Sequence, residues 1–525
     1  MTRADDSRRM RDELSTTGPL PGLLHRSSFI VSSSPRSALV CAALGAVNVF
    51  SFSPFNLFPL PLLTFAALMW LWLCAGHRRH AAWLGFAFGL GYFGAGVAWL
   101  YVSLHDFGGM PVVVTVLVTA LFCAYLALFP AAAGWLAVRL APEGGLAFAL
   151  AAAASWALGE WLRGWLFTGF PWLTIGYSQV PASPLAGFAP LSGVFGVSFS
   201  TVLAAGMIQR FIAEPPRRSS ALGLLLLLAG GFGLGQIPWT TPVGPALSVS
   251  LLQGNIAQEM KFREADLISQ LQTYLDLTKQ NPARLVILPE SAVPLLRSQV
   301  PEEYLQQLEG IAKAQGGDLL VGLFDQTEST GDIYNSVMSL GASATQIYRK
   351  HHLVPFGEFI PLKPLVGWVY DTFLTIPLAD QARGARVQEP LKVAGQRLAV
   401  DICYEDAFGE EIIGQLPEAT LLVNVSNDAW FGTRIAPWQH TQIAQTRALE
   451  TGRFMLRATN TGVTSIIDHR GELRDHLPQL TTAALRGTAE GRQGATPYVR
   501  LGNAPIVGLS LAVIGTLAWR RRRAG

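Results

Sequence analysis

Apolar residues are concentrated in the first half of the chain and again near its C-terminal end, in long blocks separated by short polar loops. A helix that crosses a bilayer needs about 20 apolar residues. Eight blocks approach this length: residues 38–52, 58–75, 81–102, 111–138, 145–165, 191–212, 221–237 and 503–519. The pattern predicts a helical membrane domain of seven transmembrane helices at 38–238 and an eighth span at 503–519. The first two blocks are short, so they are either a tight helical pair or one broken element.

Residues 245–497 have the pattern of an ordinary globular domain. Short apolar runs with strand character lie at 247–253, 285–288, 319–324, 335–340, 398–403, 421–425 and 464–468. Helical patterns lie between them at 264–279, 302–314 and 438–452. In the second of these, one face at helical spacing is apolar: Tyr304, Leu305, Leu308, Ile311 and Ala312. Strands that alternate with helices predict a single α/β domain.

Arginine residues mark every second loop between the apolar blocks. Cytoplasmic loops of membrane proteins carry an excess of Lys and Arg. Such loops here contain Arg78, Arg79, Arg139, Arg210, Arg217, Arg218 and Arg520 to Arg523, whereas residues 104–110 and 166–190 contain neither Lys nor Arg. Eight spans with cytoplasmic tails at 1–37 and 520–525 satisfy this distribution. The α/β domain then faces the non-cytoplasmic side, where ATP and acyl-CoA are absent, so the donor of any group transferred there must come from the bilayer.

Composition excludes several classes of function. The chain is 50% hydrophobic and 14% charged, with a net charge of +3, and it has no basic stripe with interleaved aromatic residues, so nucleic acid is not an expected partner. Of its four cysteines, only Cys403 lies in the α/β domain. There is no CxxC pair, and His351 and His352 lack a second ligand cluster, so we expect neither a metal nor another cofactor.

Three reactive side chains of the α/β domain each follow a predicted strand. Glu290 follows the run at 285–288, Lys350 follows a β-like run, and Cys403 ends the run at 398–403. Each has an ordinary structural reading on its own: a solvated carboxylate, a surface lysine or a buried thiol. Together they are the base, the cation and the nucleophile that cysteine acyl transfer needs.

The motifs around these residues resemble the carbon–nitrogen hydrolase (nitrilase) superfamily, and the full layout resembles the apolipoprotein N-acyltransferase family. The matching motifs are Leu252-Gln-Gly-Asn-Ile256, Pro289-Glu-Ser-Ala292, Tyr348-Arg-Lys350, Leu353-Val-Pro-Phe-Gly-Glu358, Cys403-Tyr-Glu405, Asn424-Val-Ser-Asn-Asp-Ala-Trp-Phe431, Arg447-Ala-Leu-Glu450 and Asn460-Thr-Gly462. The resemblance implies an α-β-β-α sandwich with a Glu-Lys-Cys triad, carried by eight membrane spans. It also implies a multi-pass protein of the bacterial inner membrane whose catalytic domain is periplasmic.

The resemblance implies a reaction in two stages. The sn-1 acyl chain of a phospholipid, expected to be phosphatidylethanolamine, passes to Cys403 as a thioester. The α-amino group of a diacylglyceryl-cysteine at the N-terminus of an apolipoprotein then takes the chain from the enzyme. Glu290 would act as the base, and Lys350 would stabilise the oxyanion with the backbone N–H of Tyr404. We expect the enzyme to act as a monomer.

Further residues receive roles from the same motifs. Glu358 would orient Lys350, Tyr404 would contact the acyl group or pack the nucleophile loop, and Glu405 would position the amine, hold the loop or be a surface charge. Candidate substrate contacts are Phe262, Phe356, Trp430, Phe431 and Trp172. Phe262 stands where the family usually has tryptophan.

Two other features allow more than one interpretation. The apolar stretch at 356–374 is either a set of arms that enter the membrane surface or a loop folded on the core. Glu160 and Arg163 share a helix face and would hold a lipid headgroup or form a snorkelling ion pair. His440 is interpreted as structural.

Two rival functions use the same sequence features. A membrane-tethered amidase or nitrilase-type hydrolase would use the same triad with water as the acceptor, and would release free fatty acid without acylated peptide. A lipid-binding or transport protein with an inactive nitrilase-like domain would form no acyl adduct on Cys403.

Overall fold

The computed structural model describes residues 35–213, 215, 217–361, 363–364, 380–433 and 435–524. Its apolar parts are helical, as predicted, and every predicted block contains one helix. The helices are α1 (Pro35–Val47), α2 (Leu60–Cys74), α3 (Arg78–Gly96), α4 (Val112–Leu140), α5 (Gly145–Arg163), α6 (Ala189–Ala213), α7 (Arg217–Gly235) and, at the C-terminus, Ala504–Ala524. The first two blocks are thus two separate helices.

Four helical stretches of the described residues are long and apolar enough to cross a membrane, judged by length and composition: Val112–Leu140, Gly145–Arg163, Pro184–Ala213 and Arg217–Gly235. The stretches Pro35–Ser51 and Leu60–Cys74 are apolar but shorter. The structure therefore supports a membrane protein with four candidate spans, and the count of eight stays a prediction.

Two six-stranded sheets form the α/β domain. The first has the order β13-β2-β3-β4-β5-β6 and the second β12-β11-β10-β9-β8-β7, and β1 pairs with β14. The strands are β1 (Thr241–Pro242), β2 (Leu247–Gln253), β3 (Leu285–Ile287), β4 (Asp318–Gln326), β5 (Ile333–Gly341), β6 (Ile347–Arg349), β7 (Leu391–Val393), β8 (Gln396–Ile402), β9 (Leu421–Ser426), β10 (Met455–Thr459), β11 (Ser465–Ile467), β12 (Leu473–His476), β13 (Ala483–Ala489) and β14 (Arg492–Gln493). All seven predicted strands are present.

Helices cover the outer face of each sheet. The helices of this domain are α8 (Glu264–Gln280), α9 (Glu302–Ala314), α10 (Gly409–Ile412), α11 (Ala436–Thr451) and α12 (Pro497–Leu501), and the C-terminal apolar helix is α13 (Ala504–Ala524). Helices α8 and α9 pack on the first sheet, and α10 and α11 pack on the second. Apolar side chains of both sheets form the core between them. The domain is therefore the α-β-β-α sandwich that the resemblance implies.

Both faces of the central strands are buried, which explains their continuous apolar runs. In β3, Leu285 and Ile287 face the opposite sheet, whereas Val286 faces the helices. In β8, Val400 faces the opposite sheet and Ala399 faces α10 and α11. Because β3 and β8 are packed on both faces, their ends are rigid parts of the sandwich rim, where the candidate catalytic residues follow.

Helix α11 fixes the sandwich against the apolar helices. Gln439 in α11 accepts hydrogen bonds from the indole N–H groups of Trp99 and Trp172, at 3.2 and 2.7 Å. Glu450, at the other end of α11, accepts a bond of 2.6 Å from the backbone N–H of Val194. All five residues are buried, so the sandwich has a defined orientation on the helical part.

Glu160 and Arg163 lie inside the helical part, with 4% and 1% of their surface exposed. Arg163 donates to the backbone carbonyls of Phe170 and Trp172, at 2.5 and 2.6 Å. Glu160 accepts a bond of 2.8 Å from the backbone N–H of Ile175. Both side chains bind the loop that follows α5, so neither predicted alternative, a headgroup site or a snorkelling ion pair, describes this geometry.

Candidate active site

Glu290, Lys350 and Cys403 meet at the rim of the sandwich, each just beyond a strand. Glu290 follows β3, Lys350 follows β6, and Cys403 begins the short helical turn Cys403–Ala407 after β8. Cys403 has a φ of 56°, a left-handed backbone conformation that is uncommon outside glycine. The exposed fractions of the three residues are 7%, 1% and 8%. The structure thus brings the predicted triad into one nearly closed site.

The Lys350 ammonium lies between two carboxylates. Its Nζ is 2.8 Å from Glu358 Oε1 and 3.5 Å from Glu290 Oε1. The side-chain amide of Asn335 donates to the same two oxygens, at 3.2 and 2.7 Å. The backbone N–H of Asn427 donates to the other Glu290 oxygen, Oε2, at 2.7 Å. The contact that the motifs predicted between Glu358 and Lys350 is present.

Burial and neighbouring charges set the resting protonation of the site. Burial raises the pKa of the Cys403 thiol well above its ordinary value, the negative charge of Glu290 raises it further, and Lys350 opposes both. Cys403 is therefore a thiol at rest and needs a base to become a nucleophile. Burial lowers the pKa of Lys350, but Glu358 and Glu290 outweigh burial and raise it above the ordinary value. Lys350 is therefore a permanent cation.

Glu405 holds the nucleophile loop to the strand beside it. Its carboxylate accepts backbone N–H bonds from His351, His352 and Ile402, at 2.7, 3.0 and 2.8 Å. It also accepts a bond of 3.0 Å from the hydroxyl of Tyr348. Because Glu405 is only 2% exposed, the surface-charge interpretation is wrong and the loop-holding one fits the geometry.

Tyr404 packs the nucleophile loop against the apolar helices. Its hydroxyl donates to the backbone carbonyl of Gly169 at 3.0 Å. Its ring lies 5.1 Å from Phe408 and 6.4 Å from Trp172, measured between ring centroids. Of the two predicted roles of Tyr404, packing is the one that these contacts support.

The predicted substrate contacts differ in how accessible they are. Phe356 is 43% exposed, and Trp430, Phe431 and Phe262 are partly buried. Trp172 is only 1% exposed, so its ring forms part of the wall behind Tyr404 rather than an open surface. Of the predicted membrane arms at 356–374, residues 362 and 365–374 lie outside the described residues.

A buried charge network behind Cys403 was not predicted. The imidazole of His440 bonds to Asp428 through Nδ1 and to Asp406 through Nε2, both at 2.9 Å. Nε2 also lies 3.2 Å from the Cys403 carbonyl oxygen. Arg457 pairs with Asp428 and Asp406 at 2.9 and 3.3 Å. The network fixes the main chain of the nucleophile, so the structural interpretation of His440 fits its position.

His440 is an imidazolium in this network. Burial and Arg457 lower its pKa, but Asp406 and Asp428 outweigh them and raise it to about 9. Burial would raise the pKa of Asp428, but Arg457 and His440 hold it below the ordinary value. Two cations therefore balance two carboxylates beneath the nucleophile.

We expect Arg457→Met to destabilise the domain by about 3–5 kcal/mol, because it leaves two buried carboxylates without their guanidinium partner. Thermal unfolding in detergent measures the effect. Lys313→Met is the matched control: it removes an exposed ion pair, 2.9 Å long, with Glu309, and should change stability by about 0.5 kcal/mol or less. Equal shifts in the two variants would contradict a stabilising role for Arg457.

Four further residues of the site were not predicted: Lys261, Asn335, Asn427 and Asn460. Asn427 and Asn460 lie in motifs of the family resemblance, but the residues that they contact are distant in the sequence. Asn460 donates to Asn427 at 2.9 Å and to the carbonyl of Ile256 at 2.7 Å. Among the described residues, no group of three or more His, Cys, Asp or Glu is placed to hold a metal ion.

The fold and the three side chains at its rim define an enzyme of the carbon–nitrogen hydrolase superfamily. Residues 248–485 match the family model described as Carbon-nitrogen hydrolase. Residues 44–207, in the apolar helical part, match the family model described as Apolipoprotein N-acyltransferase N-terminal domain.

Similar proteins cover nearly the whole chain. The chain is 53% identical to the apolipoprotein N-acyltransferase of Nitrosomonas europaea, over 92% of this chain and 97% of that one. It is 45% identical to those of Chromobacterium violaceum and Methylococcus capsulatus, over 92% and 93% of this chain and 94% and 97% of theirs. The chain therefore belongs to the apolipoprotein N-acyltransferase family and is an acyltransferase, which confirms the resemblance seen in its motifs.

Proposed function

We propose that this lipoprotein N-acyltransferase moves the sn-1 acyl chain of a phospholipid to the α-amino group of a diacylglyceryl-cysteine, through a thioester on Cys403. The observation that carries the proposal is the position of Lys350 between the carboxylates of Glu290 and Glu358, at the same rim as the thiol. These residues are a base, a cation and a nucleophile in one buried site.

In the first stage, Sγ of Cys403 attacks the ester carbonyl and Glu290 takes the thiol proton. The carbonyl oxygen becomes an oxyanion, which Lys350 and the backbone N–H of Tyr404 stabilise. The oxyanion then collapses, the C–O bond breaks, and Glu290 returns the proton to the alkoxide of the departing lysophospholipid. The products are a lysophospholipid and acyl-Cys403.

In the second stage, the lipopeptide amine attacks the thioester carbonyl. Glu290 takes a proton from the nitrogen, the C–S bond breaks, and the thiolate recovers that proton. Burial of the triad supports this order of events, because a thioester that water rarely reaches survives until the amine arrives. All three triad residues come from one chain, which fits a monomeric enzyme.

The proposal includes a location. Eight spans with both termini in the cytoplasm would place the sandwich on the periplasmic side of the inner membrane, at the bilayer surface. The distribution of arginine supports this orientation. The partly exposed Phe356, Trp430 and Phe431 fit a site entrance that faces lipid. Reagent labelling of single cysteines introduced at positions 143 and 490, in intact cells, would test the sidedness: only the second should react.

Intact-mass measurement tests the reaction. The purified protein is incubated with vesicles of phosphatidylethanolamine, and its mass should rise by one acyl group. Vesicles of phosphatidylglycerol or phosphatidylcholine test the donor headgroup, for which we propose phosphatidylethanolamine. A synthetic diacylglyceryl lipopeptide should then discharge the adduct and gain the same mass. Release of free fatty acid without acylated peptide would favour the hydrolase, and the absence of an adduct would favour an inactive lipid-binding protein.

We expect Lys350→Arg to lower acyl-enzyme formation by about 10²–10³-fold, although the charge is kept. Lys350 is 1% exposed, and the planar guanidinium does not fit the compact space between Glu290 and Glu358. Single-turnover acylation measures the loss. Arg349→Lys, the reverse exchange at the neighbouring and more exposed position, is the control and should change the rate less than about threefold. Full activity of Lys350→Arg would remove Lys350 from the oxyanion site.

A further inference from the structure

Lys261 is a second buried lysine at the active site, and the proposed reaction gives it no role. Its ammonium donates to the main-chain carbonyl of Glu290 at 3.0 Å. Only 4% of its surface is exposed. Lysine is almost never buried to this degree without a charged partner. Its position beside the proposed base therefore calls for a functional explanation.

The loop that carries Lys261 is bound to the active site by further contacts. Gln258 accepts a bond of 2.8 Å from the side chain of Asn427. The backbone N–H of Asn427 in turn donates to Glu290 Oε2 at 2.7 Å. The backbone N–H of Ile256 donates to Asn460 at 2.9 Å. These contacts hold residues 256 and 258, and the backbone N–H of Lys261 itself donates to the Gln258 carbonyl at 3.3 Å. Lys261 therefore has a defined position.

Lys261 also completes the charge balance of the site. With Cys403 as a thiol, the carboxylates of Glu290 and Glu358 carry two negative charges, and Lys350 supplies only one positive charge. Lys261 supplies the second and balances this pair of carboxylates. The neighbouring Glu405 carboxylate is held separately, by three backbone N–H groups and the Tyr348 hydroxyl. Without Lys261, the site would hold one more net negative charge, and a buried like charge disfavours the formation of a thiolate.

We propose that Lys261 is a positioning residue that holds the main chain of Glu290 and balances the second of the two carboxylates around Lys350, so that the Cys403 thiolate can form. The inference rests on the proposed function, since it deepens the account of the same nucleophile. Burial lowers the pKa of Lys261 to about 8, with Glu290 and Cys403 opposing that effect. Its ammonium is thus charged at neutral pH, and its charge is lost as the pH rises through about 8.

The test measures the reactivity of the Cys403 thiol with iodoacetamide as a function of pH, by peptide mass mapping that separates Cys403 from the other three cysteines. This readout needs no acyl donor, so it stands even if the proposed phospholipid chemistry is wrong. We expect Lys261→Met to slow alkylation about tenfold at pH 7, which is an upward shift of about one unit on the neutral side of the pH profile. The two profiles should converge above about pH 8, where wild-type Lys261 has itself lost its charge. Acylation by phosphatidylethanolamine vesicles should fall by a similar or larger factor.

Two further variants separate the effect of the Lys261 charge from that of its hydrogen bond. Lys261→Gln keeps an N–H donor but no charge, and we expect the same shift of the alkylation profile as in Lys261→Met. Lys261→Arg keeps the charge and should return the profile towards that of the wild type. Lys279→Met, on the exposed surface of α8, is the control and should change nothing.

The outcomes separate the two proposals. An unshifted alkylation profile in the folded Gln or Met variant would overturn the role of Lys261, even if acylation slowed. A shifted profile in a protein that forms no acyl adduct with any phospholipid would support the role of Lys261 and overturn the proposed donor. If Lys261→Met does not fold, the Gln and Arg variants give the same comparison.

Discussion

Cys403→Ala is expected to form no acyl adduct and to lower lipopeptide acylation by at least about 10⁴-fold, because no other group can carry the thioester. The left-handed backbone of Cys403 and its carbonyl contacts with Asn424 and His440, at 3.1 and 3.2 Å, do not depend on the sulfur. The variant should therefore keep the fold. Intact-mass measurement after incubation with phosphatidylethanolamine vesicles shows whether the mass rises by one acyl group.

Two variants complete this experiment. Cys403→Ser keeps the size of the side chain and should also fail, since a hydroxyl in this site is a far weaker nucleophile than a thiol at the same base. Cys74→Ala, which removes a cysteine of helix α2, is the matched control and should acylate at the wild-type rate. An adduct of unchanged amount on Cys403→Ala would assign the nucleophile to another residue.

The sequence predicts the central strands of the α/β domain well because these strands are buried on both faces. A strand such as β3, with every residue from Leu285 to Ile287 buried, appears as a continuous apolar run. Strands β10 and β13 were missed for a physical reason. Arg457 interrupts β10, and its charge is buried only because Asp406 and Asp428 neutralise it. Strand β13 is partly exposed and contains glycine and alanine, which have low strand propensity.

The proximity of Glu290, Lys350 and Cys403 was predictable because each residue follows a strand, and strand ends gather at a rim. The supporting residues were less predictable, because their roles depend on partners far away in the chain. Lys261 gains its role from a carbonyl 29 positions later, and Arg457 from a carboxylate 51 positions earlier. A lone lysine after a strand and a lone arginine within one carry no such signal in the sequence.

The membrane part shows the same limit. Local composition predicted the helices, and all eight are present. It led, however, to a wrong prediction of the surroundings of Arg163. Nearby tryptophans suggested that Arg163 lies at the lipid interface. Instead, the loop after α5 returns to this helix, and its Phe170 and Trp172 carbonyls accept hydrogen bonds from the guanidinium inside the protein. Because the loop after α5 makes these bonds, no periodicity within α5 could have indicated them.

Glu290→Gln is expected to lower acyl-enzyme formation by about 10²–10⁴-fold, the range that a general base contributes. Burial keeps the Cys403 thiol protonated, so loss of the base removes the route to the thiolate. The amide is also a poor replacement in this site. Both Glu290 oxygens accept N–H donors, from Asn335 and Asn427, each at 2.7 Å, so either orientation of Gln sets an NH₂ group against a donor.

The pH dependence of single-turnover acylation separates loss of the base from this mismatch. Without Glu290, hydroxide must deprotonate Cys403, so the residual rate of Glu290→Gln should rise about tenfold per pH unit up to the raised pKa of the thiol. The wild-type rate should change much less over the same range, because its base is already in place. Glu309→Gln, on the partly exposed side of α9, is the matched control and should follow the wild type. A residual rate of Glu290→Gln that is independent of pH would assign the base to a different group.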